Sequence, residues 1–544
     1  MLTIEALPPY QRAIAKGHLG ACGISYNDLK KPIIAVVNSW NDIVSGHCHL
    51  REVAEEVKRG IREAGGTPLE FNTIAMCDGI AMGHRGMKFV LPSREIIANS
   101  IETMILGHNI FDGMVLIGSC DKIVPAMLMA AARLDIPSIM VTGGVIRNYI
   151  TPAESKETRY AFIRGEVDEK QLVEVTKEYL PSAGICPVMG TANTMCIIAE
   201  TLGITLPLMA TMIAQSDKQK KLVRQSGHVI LDLVHKHITA RKFFTQAAFE
   251  NAMTVASAIG GSPNTFLHIP AIAAECGLTI KRMDYDRISH NTPLITRVYP
   301  NGKTYTVADL DGVGGVPVIL KELLPKLHEN TPTVNGNTLY DNVKNAPNPD
   351  GTIVKTMKTP FQDEGGLAVL QGNLAKDGGV IKISAVPKEK WAFRGPAKVF
   401  ESEEDCMEAL DHNIIQEGDV VIVRNEGPKG GPGMREMHRV TEVITKVKNT
   451  ALLTDGRFSG HSAGLAVGYL SPEAADKGPI AYIHNGDMIS IDIEKRRFHW
   501  EITQEEENKR HITDRIIVSK EPSKQLRLYR EQVTAASNGA ILHE

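Results

Sequence analysis

Cysteine and aspartate stand side by side twice in this chain, as Cys77-Asp78 in AMCDGIA and as Cys120-Asp121 in GSCDKI, where Lys122 follows. Thiolates favour iron or zinc and carboxylates favour magnesium or manganese, so each pair offers a soft and a hard ligand on adjacent residues. Neighbouring side chains diverge in an extended segment, which lets one pair face two different metals. A single pair reads equally well as a small buried cysteine beside a turn-capping aspartate. Two pairs, both beside glycines and one directly after an apolar run, are harder to assign to packing.

Three further stretches concentrate reactive or glycine residues: PSAGICPVMGTANTM (181–195), RNEGPKGGPGMREM (424–437) and TDGRFSGHSAG (454–464). GPKGGPG has the look of a phosphate-cradling loop but lacks the GK[ST] ending of a P-loop. Glu426, after the run VVIV, reads as a ligand or as a rim charge. Ser459 sits in RFSGH, which is not the GxSxG nucleophile elbow, and by itself it reads as a turn serine. His47-Cys48-His49 suggests a metal cluster, yet the two histidines of an extended segment point to opposite faces.

These residues need elements to position them. Pro32 to Val37 reads as a buried strand running into the polar loop NSWND, and LREVAEEVKRGIREAGG then has helical spacing and a Gly-Gly stop. Met114 to Ile117 is a second strand, followed by SCDK and a helical PAMLMAAARLD; Ile136 to Val141 is a third, ending in TGG. Such alternation predicts a parallel sheet, whose ligands gather at the carboxyl ends of the strands. Residues from about 155 to 330 read as mostly helical, with helix, Gly-rich turn and helix over QAAFENAMTVASAIGGSPNTFLHIPAIAAECG. The Asn-, Pro- and Gly-rich segment 335–355 marks a boundary or long loop.

Beyond about 365, VIKISAV, AKVFES, DVVIVRNEG, ALLTDG, IAYIH and MISIDI are short β-type runs, with clear helical patterns only in EEDCMEALDH and SKQLRLYREQVTAAS. The expected fold is an α/β N-terminal parallel-sheet domain with helical segments over 1–360, then a β-barrel-like domain over 361–544.

At 544 residues the chain is too long for one core, and its 43% hydrophobic and 23% charged content is that of a globular protein. A net charge of −3 gives no electrostatic reason to expect nucleic acid or an anionic membrane as partner. With no signal-peptide pattern and no apolar stretch near the length of a bilayer span, a cytoplasmic protein is expected. The eight cysteines include no CxxC pair, so any metal centre must collect thiolates from distant segments.

Together, KPIIAVVNSW, EFNTIAMCDGIAMGHRGMKFVLPSRE, SCDKIVPAMLMA, CPVMGTANTM, FENAMTVASAIGGSPNT, GGLAVLQGNLA, RNEGPKGGPGMREM, TDGRFSG and SPEAADKGPIA resemble the dihydroxy-acid dehydratase / phosphogluconate dehydratase family over nearly the whole chain. The resemblance implies dehydration of a 2,3-dihydroxy acid to a 2-oxo acid by an enzyme holding an iron–sulfur cluster and Mg2+. It implies Cys120 and Cys186 as cluster ligands, and Asp78, Asp121, Glu426 and a carbamylated Lys122 as magnesium ligands. Ser459 matches the general base.

Three departures from the family pattern bear on these expectations. Members with a [2Fe-2S] cluster carry a third cysteine where this chain has Gly46. A [4Fe-4S] cluster with Cys77 as third thiolate is therefore favoured, with Cys48 as the substitute. GGSPNT has Pro263 where threonine is usual, and His461 follows the SG pair where the family has glycine or threonine; both point to an altered pocket.

Branched-chain 2,3-dihydroxy-3-methylbutanoate is the favoured substrate, with gluconate or its 6-phosphate as the alternative. A non-catalytic relative with the same fold and a Cys/His zinc hydrolase are the competing classes. The family also implies a homodimer or higher homo-oligomer.

Overall fold

The computed structural model describes residues 4–437, 439–441, 447, 449–460, 464–513 and 521–543. His461 lies outside them, so the pocket expectation attached to it does too.

Continuous apolar runs make the first sheet. β1 (Ile33–Asn38), β3 (Gly113–Gly118) and β4 (Ser138–Thr142) are buried at every position, as strands covered on both faces must be. β2 (Thr67–Asn72) is only partly buried because it is the edge of the order β2-β1-β3-β4. All neighbouring pairs are parallel, with Val36 opposite Glu70 on one side and Val115 on the other. The four carboxyl ends therefore open on one side of the sheet, and the loops beginning at Ser39, Thr73, Ser119 and Gly143 share that rim.

The helix Leu50–Glu63 buries Leu50, Val53, Ala54, Val57 and Ile61, the stripe its sequence spacing requires. It crosses the helix Asp217–His235 at two glycines. A Cβ on Gly227 would lie 2.6 Å from both the Ile61 nitrogen and the Val57 carbonyl, and one on Gly60 would overlap the Arg224 carbonyl. The charged segment after residue 150 forms two helices, Pro152–Ile163 and Glu169–Tyr179, each opened by a capping box. The helices Gln246–Ala258 and Thr265–Ala274 flank the Gly-rich GGSPN turn as expected.

After the short helix Leu339–Val343 the chain turns to β structure. Eight strands close a barrel: β5 (Ala368–Gly372), β6 (Ala375–Ile381), β7 (Ala392–Phe400), β8 (Val420–Val423), β9 (Ala451–Thr454), β10 (Leu465–Gly468), β11 (Met488–Asp492) and β12 (Arg497–Trp500). Going round, the order is β10-β6-β5-β12-β11-β7-β8-β9, with antiparallel hairpins joined by parallel pairs such as β7 with β8 and β8 with β9. Alternation decides which side chains fill the barrel. Ala368, Leu370 and Ile381 point in, whereas Val369 and Val380 point out and join the core of the first part.

Two readings differ from the structure. IAYIH is not a strand but the 3-10 turn Pro479–Tyr482, where Pro479 supplies no N–H and Ile480, Tyr482 and Ile483 pack into the barrel core. The helix Gln504–Thr513 has no buried residue and so no apolar periodicity to reveal it. No described helix is long and apolar enough to cross a membrane.

Candidate active site

The loops after β2 and β3 bring the two Cys-Asp pairs together. Cys77 precedes the one-turn helix Asp78–Ala81, and Cys120, Asp121 and Lys122 lead into the helix Ile123–Leu134. Asp78, Asp121 and Glu436 form a group whose ligand oxygens all lie within 4.8 Å of one another. Lys122, 1% exposed, donates from Nζ to Asp121 Oδ2 at 2.9 Å.

Burial, followed by the charges of Asp121 and Glu436, pushes the Asp78 carboxyl well up. Burial acts against the Asp121 charge too, but the Lys122 ammonium and its hydrogen bond outweigh it and hold that carboxyl down. Three carboxylates this close need either a shared proton or a cation. A hard divalent ion is the species such an oxygen set takes.

The thiols of Cys77, Cys120 and Cys186 lie close enough to repel one another as thiolates. Burial first, then the Asp78 charge, raises Cys120 well above the ordinary thiol range, and crowding by protein and the same charge raise Cys186, although its surface is exposed. Cys77 is raised chiefly by burial. A cationic centre reverses that balance by stabilising thiolates, so three free, converging thiols fit an iron–sulfur cluster. Gly46 shapes the same space: a Cβ on it would lie 2.6 Å from Cys120 Sγ, so the residue left without a side chain faces the thiol directly.

The remaining residues of the VSGHCHL turn build the walls. His47 Nε2 accepts the Cys120 N–H at 3.1 Å, which leaves the ring proton on Nδ1 to reach the Ser39 carbonyl at 2.9 Å. Burial lowers this imidazole to about 4 and keeps it neutral. His49 Nε2 donates to the Gly143 carbonyl at 2.7 Å. The exposed Cys48 donates its thiol to the Ser45 carbonyl, 3.5 Å away. The Ser45 carbonyl also accepts Gly184 N–H at 2.9 Å, and Asn193 holds the carbonyls of Cys186 and Val188, both at 2.7 Å. These bonds bring the Cys186 loop to the rim.

The barrel supplies the other wall. Ser459, 8% exposed, follows β9, and the Gly460 beside it packs against Met189 and Gly190, three and four residues past Cys186. Two residues before the serine, Arg457 is fully buried and pairs with Glu436, while its Nε donates to the Met434 carbonyl at 2.8 Å. Asn264, from the GGSPN turn, donates to Glu436 at 3.2 Å and to Thr191 Oγ1 at 2.8 Å. Pro263 lines a small cavity with Ser459.

Glu426, the acid expected beside the aspartates, is engaged elsewhere. Its carboxylate meets Arg435 at 2.8 and 2.7 Å and accepts the Glu403 N–H at 2.9 Å. Glu436 stands with the aspartates instead. Both acids lie in RNEGPKGGPGMREM, and it is the arginine each one meets that separates them. Arg457 and Asn264 also went unread, although GRFSG and GGSPNT contain them.

The sheet rim, the thiol triad and the acidic triad form one candidate metal-binding site built across two parts of one chain. The chain matches the dihydroxy-acid/6-phosphogluconate dehydratase N-terminal family over residues 31–342 and the corresponding C-terminal family over residues 352–540. It belongs to the dihydroxy-acid/6-phosphogluconate dehydratase family, and dehydratases are hydro-lyases. Dihydroxy-acid dehydratase 1 of Methanosarcina acetivorans is 44% identical to it, with 98% of each chain covered. The dihydroxy-acid dehydratase of Methanococcoides burtonii is 45% identical over 97% of this chain and 98% of its own. That of Caldicellulosiruptor saccharolyticus is 44% identical, with 98% of each covered.

Proposed function

We propose that this protein dehydrates a 2,3-dihydroxy carboxylate to a 2-oxo acid, with 2,3-dihydroxy-3-methylbutanoate as substrate and 3-methyl-2-oxobutanoate as product. The observation that carries the reading is one site holding three thiols, three carboxylates and a serine turn, in a chain about 44% identical over its length to relatives named dihydroxy-acid dehydratases. Cys77, Cys120 and Cys186 would hold a [4Fe-4S] cluster. Asp78, Asp121 and Glu436, with Lys122 as its carbamate, would hold Mg2+. When bound, these centres supply Lewis acidity towards the substrate's oxygens.

Ser459 is the base in this reading: its Oγ, as the alkoxide, takes the C2 proton, and the C–H electron pair forms the C2–C3 double bond as the C3–O bond breaks. The departing hydroxide takes the proton from the serine hydroxyl and leaves as water, and the enol formed tautomerises to the 2-oxo acid. Asn264 and Arg457 act indirectly, by fixing the Glu436 carboxylate. The working form is a homodimer or higher homo-oligomer in the cytosol, the oligomer being what the family resemblance implies. Its two domains meet near residue 360, and the two family matches, ending at 342 and beginning at 352, favour a boundary in that region.

The test is an anaerobic assay of 2-oxo acid formation over branched-chain and sugar dihydroxy acids, with iron and sulfide counted on the same sample. Faster turnover of gluconate or its 6-phosphate would overturn the substrate. For Ser459→Ala, an intact cluster spectrum with turnover abolished is expected. Substantial residual turnover would overturn the base.

A further inference from the structure

Lys382 lies one residue past β6 and is 5% exposed. No carboxylate among the described residues pairs with it. Its Nζ donates to the Gly460 carbonyl at 2.8 Å, and burial alone pushes its ammonium down to about 7. Placing a cation in a protein interior without a counter-charge is costly. A neutral amide or hydroxyl would hold a carbonyl at far lower cost, so the bond to Gly460 does not by itself account for a lysine.

The surroundings point to the neighbouring residue. Lys382 lines the small cavity that Ser459, Phe458 and Pro263 also line. The serine is clamped on both sides. The Phe458 carbonyl accepts from the Tyr469 hydroxyl at 2.7 Å, and the Gly460 carbonyl accepts from Lys382. Gly460 has no slack of its own, since a Cβ there would lie 2.9 Å from the Met189 carbonyl and 3.2 Å from Ser262 Cα. The Ser459 turn is thus wedged between the barrel and the Cys186 loop, and among the described residues that line its cavity Lys382 alone carries an ammonium or guanidinium group.

We propose that Lys382 is a positioning residue for Ser459: it fixes the Gly460 carbonyl behind the serine and, in its protonated form, sets a positive charge beside the cavity where the serine oxygen takes up a proton. This rests on the reading of Ser459 as base. A charge placed there before reaction favours the anionic form of the serine oxygen without reorganisation at the moment of proton transfer. It is not consumed, because the proton passes from substrate carbon to serine oxygen.

The experiment uses cluster-loaded holoenzyme under anaerobic conditions, with Lys382→Met, Lys382→Gln and Lys382→Ala beside Ser459→Ala. Lys382→Met is expected to lower kcat roughly a hundredfold to a thousandfold, with KM and the cluster spectrum little changed. Lys382→Gln keeps a donor for Gly460 but no charge, and is expected to fall between wild type and Lys382→Met. Added ethylammonium should raise the kcat of Lys382→Ala in a concentration-dependent way and leave Ser459→Ala inactive. A purely structural role would not allow that rescue.

Wild-type kcat in both Lys382→Met and Lys382→Gln would overturn the proposal. So would a rise in KM at constant kcat, which would make Lys382 a substrate-binding group. Should Lys382→Met fail to fold, Lys382→Gln and the rescue of Lys382→Ala decide the matter. If Ser459→Ala is inactive while the Lys382 variants behave as wild type, this proposal alone fails. If Ser459→Ala turns over, the base reading fails first.

Discussion

Exchanging each of the two acids of RNEGPKGGPGMREM for glutamine should separate their roles. Glu426 is 1% exposed and grips Arg435, itself 2% exposed, through both carboxylate oxygens. Removing one partner of a buried ion pair costs about 3–5 kcal/mol. Arg435 retains Glu403 at 3.2 Å and Glu404 at 2.7 Å, so Glu426→Gln should sit near the lower end, about 3 kcal/mol. Its affinity for Mg2+ should stay within about twofold of wild type, a difference below ~0.5 kcal/mol.

Glu436→Gln removes an anionic oxygen from the group it forms with Asp78 and Asp121. Losing even a supporting residue costs a metal site about 10–100-fold in affinity, so a direct ligand should cost at least about a hundredfold, or ~2.7 kcal/mol. Calorimetric titration of Mg2+ into cluster-loaded, divalent-free protein reads this directly, and urea unfolding of the same samples reads stability. The assignment fails if Glu426→Gln weakens Mg2+ as strongly as Glu436→Gln, or if Glu436→Gln binds like wild type.

Other outcomes follow from the same geometry. Cys77→Ser, Cys120→Ser and Cys186→Ser should each lose iron and the brown colour, whereas Cys48→Ser should keep both; iron and sulfide counts check this, and loss in Cys48→Ser would move the third thiolate. Gly227→Ala forces a Cβ against the Val57 carbonyl and Ile61 nitrogen and should cost at least about 1–3 kcal/mol in urea unfolding. An unchanged midpoint would mean that the two helices can part freely. Burial, then the Asp455 charge, pushes Glu473 up to about 8. Between pH 4.5 and 8 the unfolded chain releases this proton while the fold keeps it, so its contribution to stability falls as pH rises, by up to about 1.4 kcal/mol per pH unit. Comparing wild type with Glu473→Gln by urea unfolding at pH 5 and pH 8 should show the steeper fall in wild type.

What the sequence made legible was local. The all-apolar runs at β1, β3 and β4 and the polar loops behind them announced a parallel sheet with its site at the carboxyl ends, because burial on both faces leaves no other pattern. Barrel closure was less legible. The same short β runs suit a sandwich, and what decides is the pairing of β10 with both β6 and β9, which closes the ring. The choice between Glu426 and Glu436 was not legible either, since it depends on Arg435 and Arg457, whose directions are set by tertiary packing. The helix Gln504–Thr513 escaped because a polar surface segment carries no periodic signal.

The division of the site between the two parts also orders events in time. The three converging thiols belong to the first 186 residues, and the loops that gather them hang from a sheet whose last strand ends at Thr142. Glu436 and Ser459 are made some 250 residues later, on a barrel whose final strand ends at Trp500. Cys77, Cys120 and Cys186 are therefore all synthesised long before Glu436. On the proposed ligand set the thiols precede the third carboxylate in the chain, and the acidic group is complete only once the segment carrying Glu436 is in place.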